Sequence, residues 1–84
     1  MEYPDELKKR MVRVLKKNPP RKLSGKNVIE TKSYDGIKFI LEDDSWLLLR
    51  LSGTESILRI YAEADSKEKV LGLIKTGKKL AFSV

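Results

Sequence analysis

Along the first part of the chain, Leu7, Met11, Val14 and Leu15 recur at helical spacing and form one apolar stripe. Pro4 suits the first helical position, Asp5 and Glu6 suit the positive end of the helix dipole, and Lys16 and Lys17 suit the last turn. Asn18-Pro19-Pro20 then stops the helix, because proline lacks an N–H and disfavours helical geometry in the residue before it. The predicted helix spans 4–17, and 18–26 reads as a basic loop punctuated by Ser24-Gly25. From there the spacing becomes that of strands. Four are expected: 28–34, 37–41, 46–51 and 57–63. The turns between them are Asp35-Gly36, which favours positive φ at both positions, Glu42 to Ser45, and Ser52 to Ser56. Ser66 then reads as the N-cap of a last helix running to about Leu80, with Val70, Leu73, Ile74 and Ala81 as its apolar stripe. Gly77 marks either close packing on the sheet or an early helix end.

The order helix, four strands, helix argues an α+β two-layer domain, with an antiparallel meander covered on one face by both helices. Strand parity fixes the faces. Leu47, Leu49, Leu58 and Ile60 share the apolar face, and this places Arg50 and Arg59 together on the opposite one, beside the polar loop.

With 84 residues, there is room for one domain, taken as 1–84. Cys and His are both absent, which excludes disulfides, thiolate metal sites, histidine general bases and His-ligated zinc. No apolar stretch approaches a membrane span, and the charged first residues do not form a leader, so a cytoplasmic protein is expected. Residues 1–26 hold nine Lys or Arg against three acids, which is the whole +6 excess. This segment is either a solvated helix face with a basic tail or the footprint of a small nucleic-acid-binding module. Tyr3 is its only aromatic residue, so a base-stacking platform is missing. The Trp46, Leu48 and Tyr61 face is a third possible contact surface, for a protein partner.

The loop Ser52-Gly53-Thr54-Glu55-Ser56 carries the most specific chemistry. Backbone N–H groups can converge on a phosphate dianion near Gly53, the Ser52 and Thr54 hydroxyls can donate, and Arg50 can bind two oxygens through its planar fork. On residue chemistry alone, an ordinary hairpin loop built from common turn formers is the leading alternative.

Arg50-Leu51-Ser52-Gly53-Thr54-Glu55-Ser56 resembles the R-P-S-G-T-E-P phosphate-binding signature of the α-D-phosphohexomutases, the phosphoglucomutase and phosphomannomutase enzymes. Asp35-Gly36-Ile37-Lys38, Trp46 to Arg50, and Leu58-Arg59-Ile60-Tyr61-Ala62-Glu63-Ala64 are similar to the elements that flank it in that family. The resemblance covers roughly residues 4–81 and concerns only the fourth, C-terminal domain. It departs from the pattern at Leu51 and Ser56, where the family usually has proline.

The resemblance implies a TATA-box-binding-protein-like α+β fold. It implies that Arg50, Ser52, Gly53 and Thr54 hold the phosphate of a phosphosugar, with Glu55 bracing the loop. The domain would then be a lid that anchors the non-reacting phosphate of a hexose phosphate while the other domains carry out intramolecular phosphoryl transfer. Those domains would be its partners, and they would supply the phosphoserine and Mg²⁺. This chain has no catalytic or metal-ligating residue of its own on that reading, and alone it would be inactive.

Overall fold

The computed structural model describes residues 1–84. Helix α1 (Asp5–Lys17) is followed by strands β1 (Lys22–Leu23), β2 (Lys26–Lys32), β3 (Ile37–Leu41), β4 (Trp46–Leu51) and β5 (Leu58–Glu63), and by helix α2 (Lys67–Phe82). The strands form one antiparallel sheet in sequential order. The α+β architecture is the expected one, with five strands in place of four. The extra strand lies inside the stretch read as a basic loop. Leu23 pairs with Lys26 across a two-residue turn whose Ser24 and Gly25 have φ of 50° and 78°. Positive φ at both positions is what a tight hairpin requires, so Ser24-Gly25 was a readable signal of this strand pair.

The other differences are at element boundaries. Pro4 sits in the cap position, with ψ 137°, and is not in the first turn. Strand β2 ends at Lys32, so its link to β3 is a four-residue turn with positive φ at Asp35 and Gly36. The last helix runs through both Gly72 and Gly77 to Phe82. Its cap is the expected one: the Ser66 hydroxyl accepts from the Lys69 N–H at 3.2 Å.

The core lies between the helices and one face of the sheet. Met11 and Leu15 of α1, and Leu73 and Ala81 of α2, close over Ile37, Phe39, Leu41, Leu47, Leu49 and Leu58. Ile60 is half-buried against the same cluster, so the parity expected for β4 and β5 holds. Gly77 explains how α2 comes so close to the sheet. A Cβ there would lie 3.1 Å from both Ile60 and Leu47 side-chain carbons.

Tyr3 is an unexpected core residue. It is 1% exposed, its hydroxyl donates to the Ala81 carbonyl at 2.5 Å, and its ring meets Phe82 edge-on. The residues around it act as a short added strand. The Leu58 N–H donates to the Met1 carbonyl, and the Tyr3 N–H to the Ser56 carbonyl, both at 2.9 Å. The start of the chain is thereby fastened to the start of β5, next to the 52–56 loop.

Candidate functional site

Antiparallel pairing brings three segments to one end of the sheet. They are the 33–36 turn, the 52–56 loop and the first turn of α1. The register sets Ile37 opposite Leu49 and Arg50 opposite Arg59. Both arginines are exposed on the face away from the helices, as parity predicted. Like charges directly across an antiparallel pair repel one another. Arg59 forms no ion pair, so no acid offsets this repulsion at its own side chain.

Arg50 has a partner. Its guanidinium lies 3.2 Å from the Asp35 carboxylate, and the two side chains are 48% and 64% exposed. Gly36 makes this approach possible. A Cβ at Gly36 would sit 2.8 Å from the Leu49 carbonyl oxygen and 3.5 Å from the Arg50 Cα. Behind Arg50, a cavity of about 170 Å³ opens between α1 and the turn, lined in part by Met11, Lys16, Ser33 and Leu51.

The backbone hydrogen bonds of the loop divide its donors into used and free groups. The Ser52 N–H closes the loop onto the Ile57 carbonyl at 3.1 Å. The Ser52 side-chain oxygen accepts from the N–H groups of Thr54 (3.4 Å) and Glu55 (3.1 Å), a local turn of the kind short hydroxyl residues favour. The Ser52 O–H proton stays available to donate. The Gly53 and Ser56 N–H groups have no acceptor within the chain. Gly53 is exposed, with no atom within 4 Å of where a Cβ would be. Of the four residues expected to bind phosphate, Ser52, Gly53 and Thr54 share this loop. Arg50 lies two residues before it, turned toward Asp35.

The underside of the loop is held by residues that sequence reasoning missed. The Lys8 ammonium donates to the carbonyls of Ser52 (3.0 Å) and Glu55 (2.6 Å), and pairs with Asp5 at 3.0 Å. Asp5 also accepts from the Ser56 hydroxyl at 3.0 Å. The Lys8 hydrogen bond, then that of Ser56, then the Lys8 charge hold the Asp5 carboxyl below the ordinary carboxylate range. Glu55 does brace the loop, but through its main chain. Ser56, standing where proline is usual, ties the loop exit to α1 by a side-chain bond. The Asp5-to-Lys8 spacing on one helix face was legible. The loop contacts were not, because they join residues 44 and 47 positions apart.

No three Asp or Glu side chains gather into a metal-binding group. No helix is long and apolar enough to cross a membrane.

The profile of the family described as "Phosphoglucomutase/phosphomannomutase, C-terminal domain" matches residues 3–75. A probable phosphoglucosamine mutase of Pyrococcus furiosus is 40% identical over 77 residues, covering 92% of this chain and 16% of that protein. A phosphoglucomutase/phosphomannomutase of Thermococcus kodakarensis is 45% identical over 58 residues, covering 69% of this chain and 12% of that protein. A phosphopentomutase of the same organism is 39% identical over 66 residues, covering 79% and 14%. The chain therefore spans about a sixth or less of the length of these relatives. The chain belongs to the phosphoglucomutase/phosphomannomutase C-terminal domain family.

Proposed function

We propose that this domain is the phosphate-gripping lid of a phosphosugar mutase. It anchors the phosphate that is not being transferred, and the rest of such an enzyme does the chemistry. One observation carries the reading: the 52–56 loop keeps the Gly53 and Ser56 N–H groups unpartnered beside two opposed arginines. A dianionic ester would satisfy those donors and relieve the repulsion between Arg50 and Arg59. The relatives support the substrate class. Their names differ in the sugar and share the mutase activity, so a site on this domain would read the phosphate and leave sugar choice to other parts.

Gripping a remote phosphate contributes to catalysis indirectly. Binding energy gained far from the reacting bond orients the sugar hydroxyl at the transferring group. Closing a lid over the site also keeps water from a hydrolysable phosphoenzyme. Mg²⁺, which family membership leads us to expect in such an enzyme, would assist phosphoryl transfer from a site on the other domains, and this chain contributes no ligand to it. The domain by itself is therefore expected to bind phosphate esters weakly and to catalyse nothing.

NMR titration of the 84-residue chain with glucose 6-phosphate and glucosamine 6-phosphate tests the proposal. Both ligands should shift the amides of residues 50–56, with similar affinity for the two sugars. A single-stranded oligonucleotide is the counter-ligand. A response confined to α1 and Arg21-Lys22, steeply salt-dependent and without movement in the loop, would replace this reading with a nucleic-acid-binding one.

A further inference from the structure

We propose that Lys8, which lies outside the signature loop, is a positioning residue for its anion site. Its ammonium holds two loop carbonyls inward and so turns two loop N–H groups outward. The inference rests on the phosphate-binding reading of that loop.

In a trans peptide unit, the C=O and the N–H that follows it point in opposite directions. No peptide bond in this chain is cis. The Ser52 carbonyl is fixed on the Lys8 ammonium at 3.0 Å, so the Gly53 N–H points away from Lys8. The Glu55 carbonyl is fixed on the same ammonium at 2.6 Å, so the Ser56 N–H points away as well. These are the two loop N–H groups without an acceptor in the chain. The two between them, of Thr54 and Glu55, are occupied by the Ser52 hydroxyl oxygen. The Ser52 hydroxyl thus withdraws two N–H groups, and Lys8 decides which way the remaining two face.

Lys8 is built for this task and not for solvation. Its side chain is 18% exposed, whereas its neighbours Lys9 and Arg10 are exposed to solvent. Its three N–H bonds match three acceptors: the Ser52 carbonyl, the Glu55 carbonyl and the Asp5 carboxylate. Asp5 fixes the arrangement from the other side, through the Ser56 hydroxyl. The positive charge also sits beneath a loop that is to receive an anion, where it adds favourable potential.

The experiment compares Lys8→Met, Lys8→Arg and the control Lys9→Met in the 84-residue chain. Each is titrated with inorganic phosphate while the loop amides are followed by NMR. Lys9→Met removes the same charge from the exposed side of the helix and should weaken binding by no more than about twofold, as expected for a screened surface charge. Lys8→Met should weaken it tenfold or more and abolish the Gly53 and Ser56 responses. Lys8→Arg, which keeps charge and donors, should restore part of both. A wild-type loop that ignores phosphate would overturn the phosphate reading and this inference together. A wild-type response that survives in Lys8→Met, or falls only as far as in Lys9→Met, would overturn this inference alone. If Lys8→Met fails to fold, the wild type still decides. The Lys8 ammonium protons must exchange with water more slowly than those of Lys9, and equal rates would refute the arrangement.

Discussion

Replacing Arg50 by alanine should separate binding from stability. In the free domain, Arg50 contributes one ion pair, to Asp35 at 3.2 Å, with both side chains about half exposed or more. Such a pair is worth at most about 1 kcal/mol. Its loss is partly offset, because the alanine also removes one of two like charges facing each other across β4 and β5. The midpoint of thermal unfolding should therefore fall by less than about 8 °C, the upper shift for 1 kcal/mol in a domain of this size. Phosphate binding should lose far more. A hydrogen bond to a charged group contributes about 1.5–3 kcal/mol, which corresponds to roughly a tenfold to hundredfold weaker complex. Arg50→Lys should fall in between, since it keeps the charge and loses the planar fork. The assay is the initial slope of loop amide shifts against phosphate concentration, paired with thermal denaturation followed by circular dichroism. If Arg50→Ala unfolds the domain, its role is structural. If the slope is unchanged, Arg50 does not touch the anion. Either outcome refutes the reasoning.

The remaining predictions concern the supports of the site. Asp35→Asn should strengthen phosphate binding by up to about fivefold, since the carboxylate that competes for Arg50 is neutralised; weaker binding in the same titration would show that Asp35 orients the guanidinium. Gly53→Ala and Gly36→Ala should differ in kind. The first meets no atom within 4 Å and should leave stability nearly unchanged while impairing phosphate binding, whereas the second places a Cβ 2.8 Å from the Leu49 carbonyl at φ 111° and should lower the unfolding midpoint sharply. Acid should loosen the underside of the loop. Asp5 has a lower pKa when folded than its unfolded value near 3.8, so the stability it contributes is complete above that value and is lost as pH falls through the folded one. The Thr54 and Ser56 amides should report this below about pH 4 in the wild type and not in Asp5→Asn; an Asp5 carboxyl titrating at its ordinary value would contradict the contacts described.

Most of the fold was legible because it depends on local rules. Period-two spacing in Trp46–Leu51 and Leu58–Glu63 set which residues face the core. It also set Arg50 beside Arg59 before any pairing was known. The Ser66 cap and the Asn18-Pro19-Pro20 stop fixed helix ends by the chemistry of single residues. The missed elements are those that local rules underdetermine. Strand β1 is two residues long, too short for a period to show. Tyr3 gave no sign that it would be buried, since one aromatic residue in a charged segment has no pattern to belong to. Its burial comes from packing under α2 and pairing beside Ile57.

The amino-acid sequence by itself determined the α+β order, the apolar face, the placement of the basic excess in the first 26 residues, and a loop with the residue types to hold a phosphate. Those depend on spacing and composition, which the chain carries in one dimension. Only the tertiary structure decided what surrounds that loop. It set Lys8 and Asp5 beneath it, Asp35 against Arg50, and left Gly53 and Ser56 with N–H groups unpartnered. The direction in which a peptide N–H points depends on what holds the carbonyl before it, and here that holder lies 44 to 47 residues away in the chain.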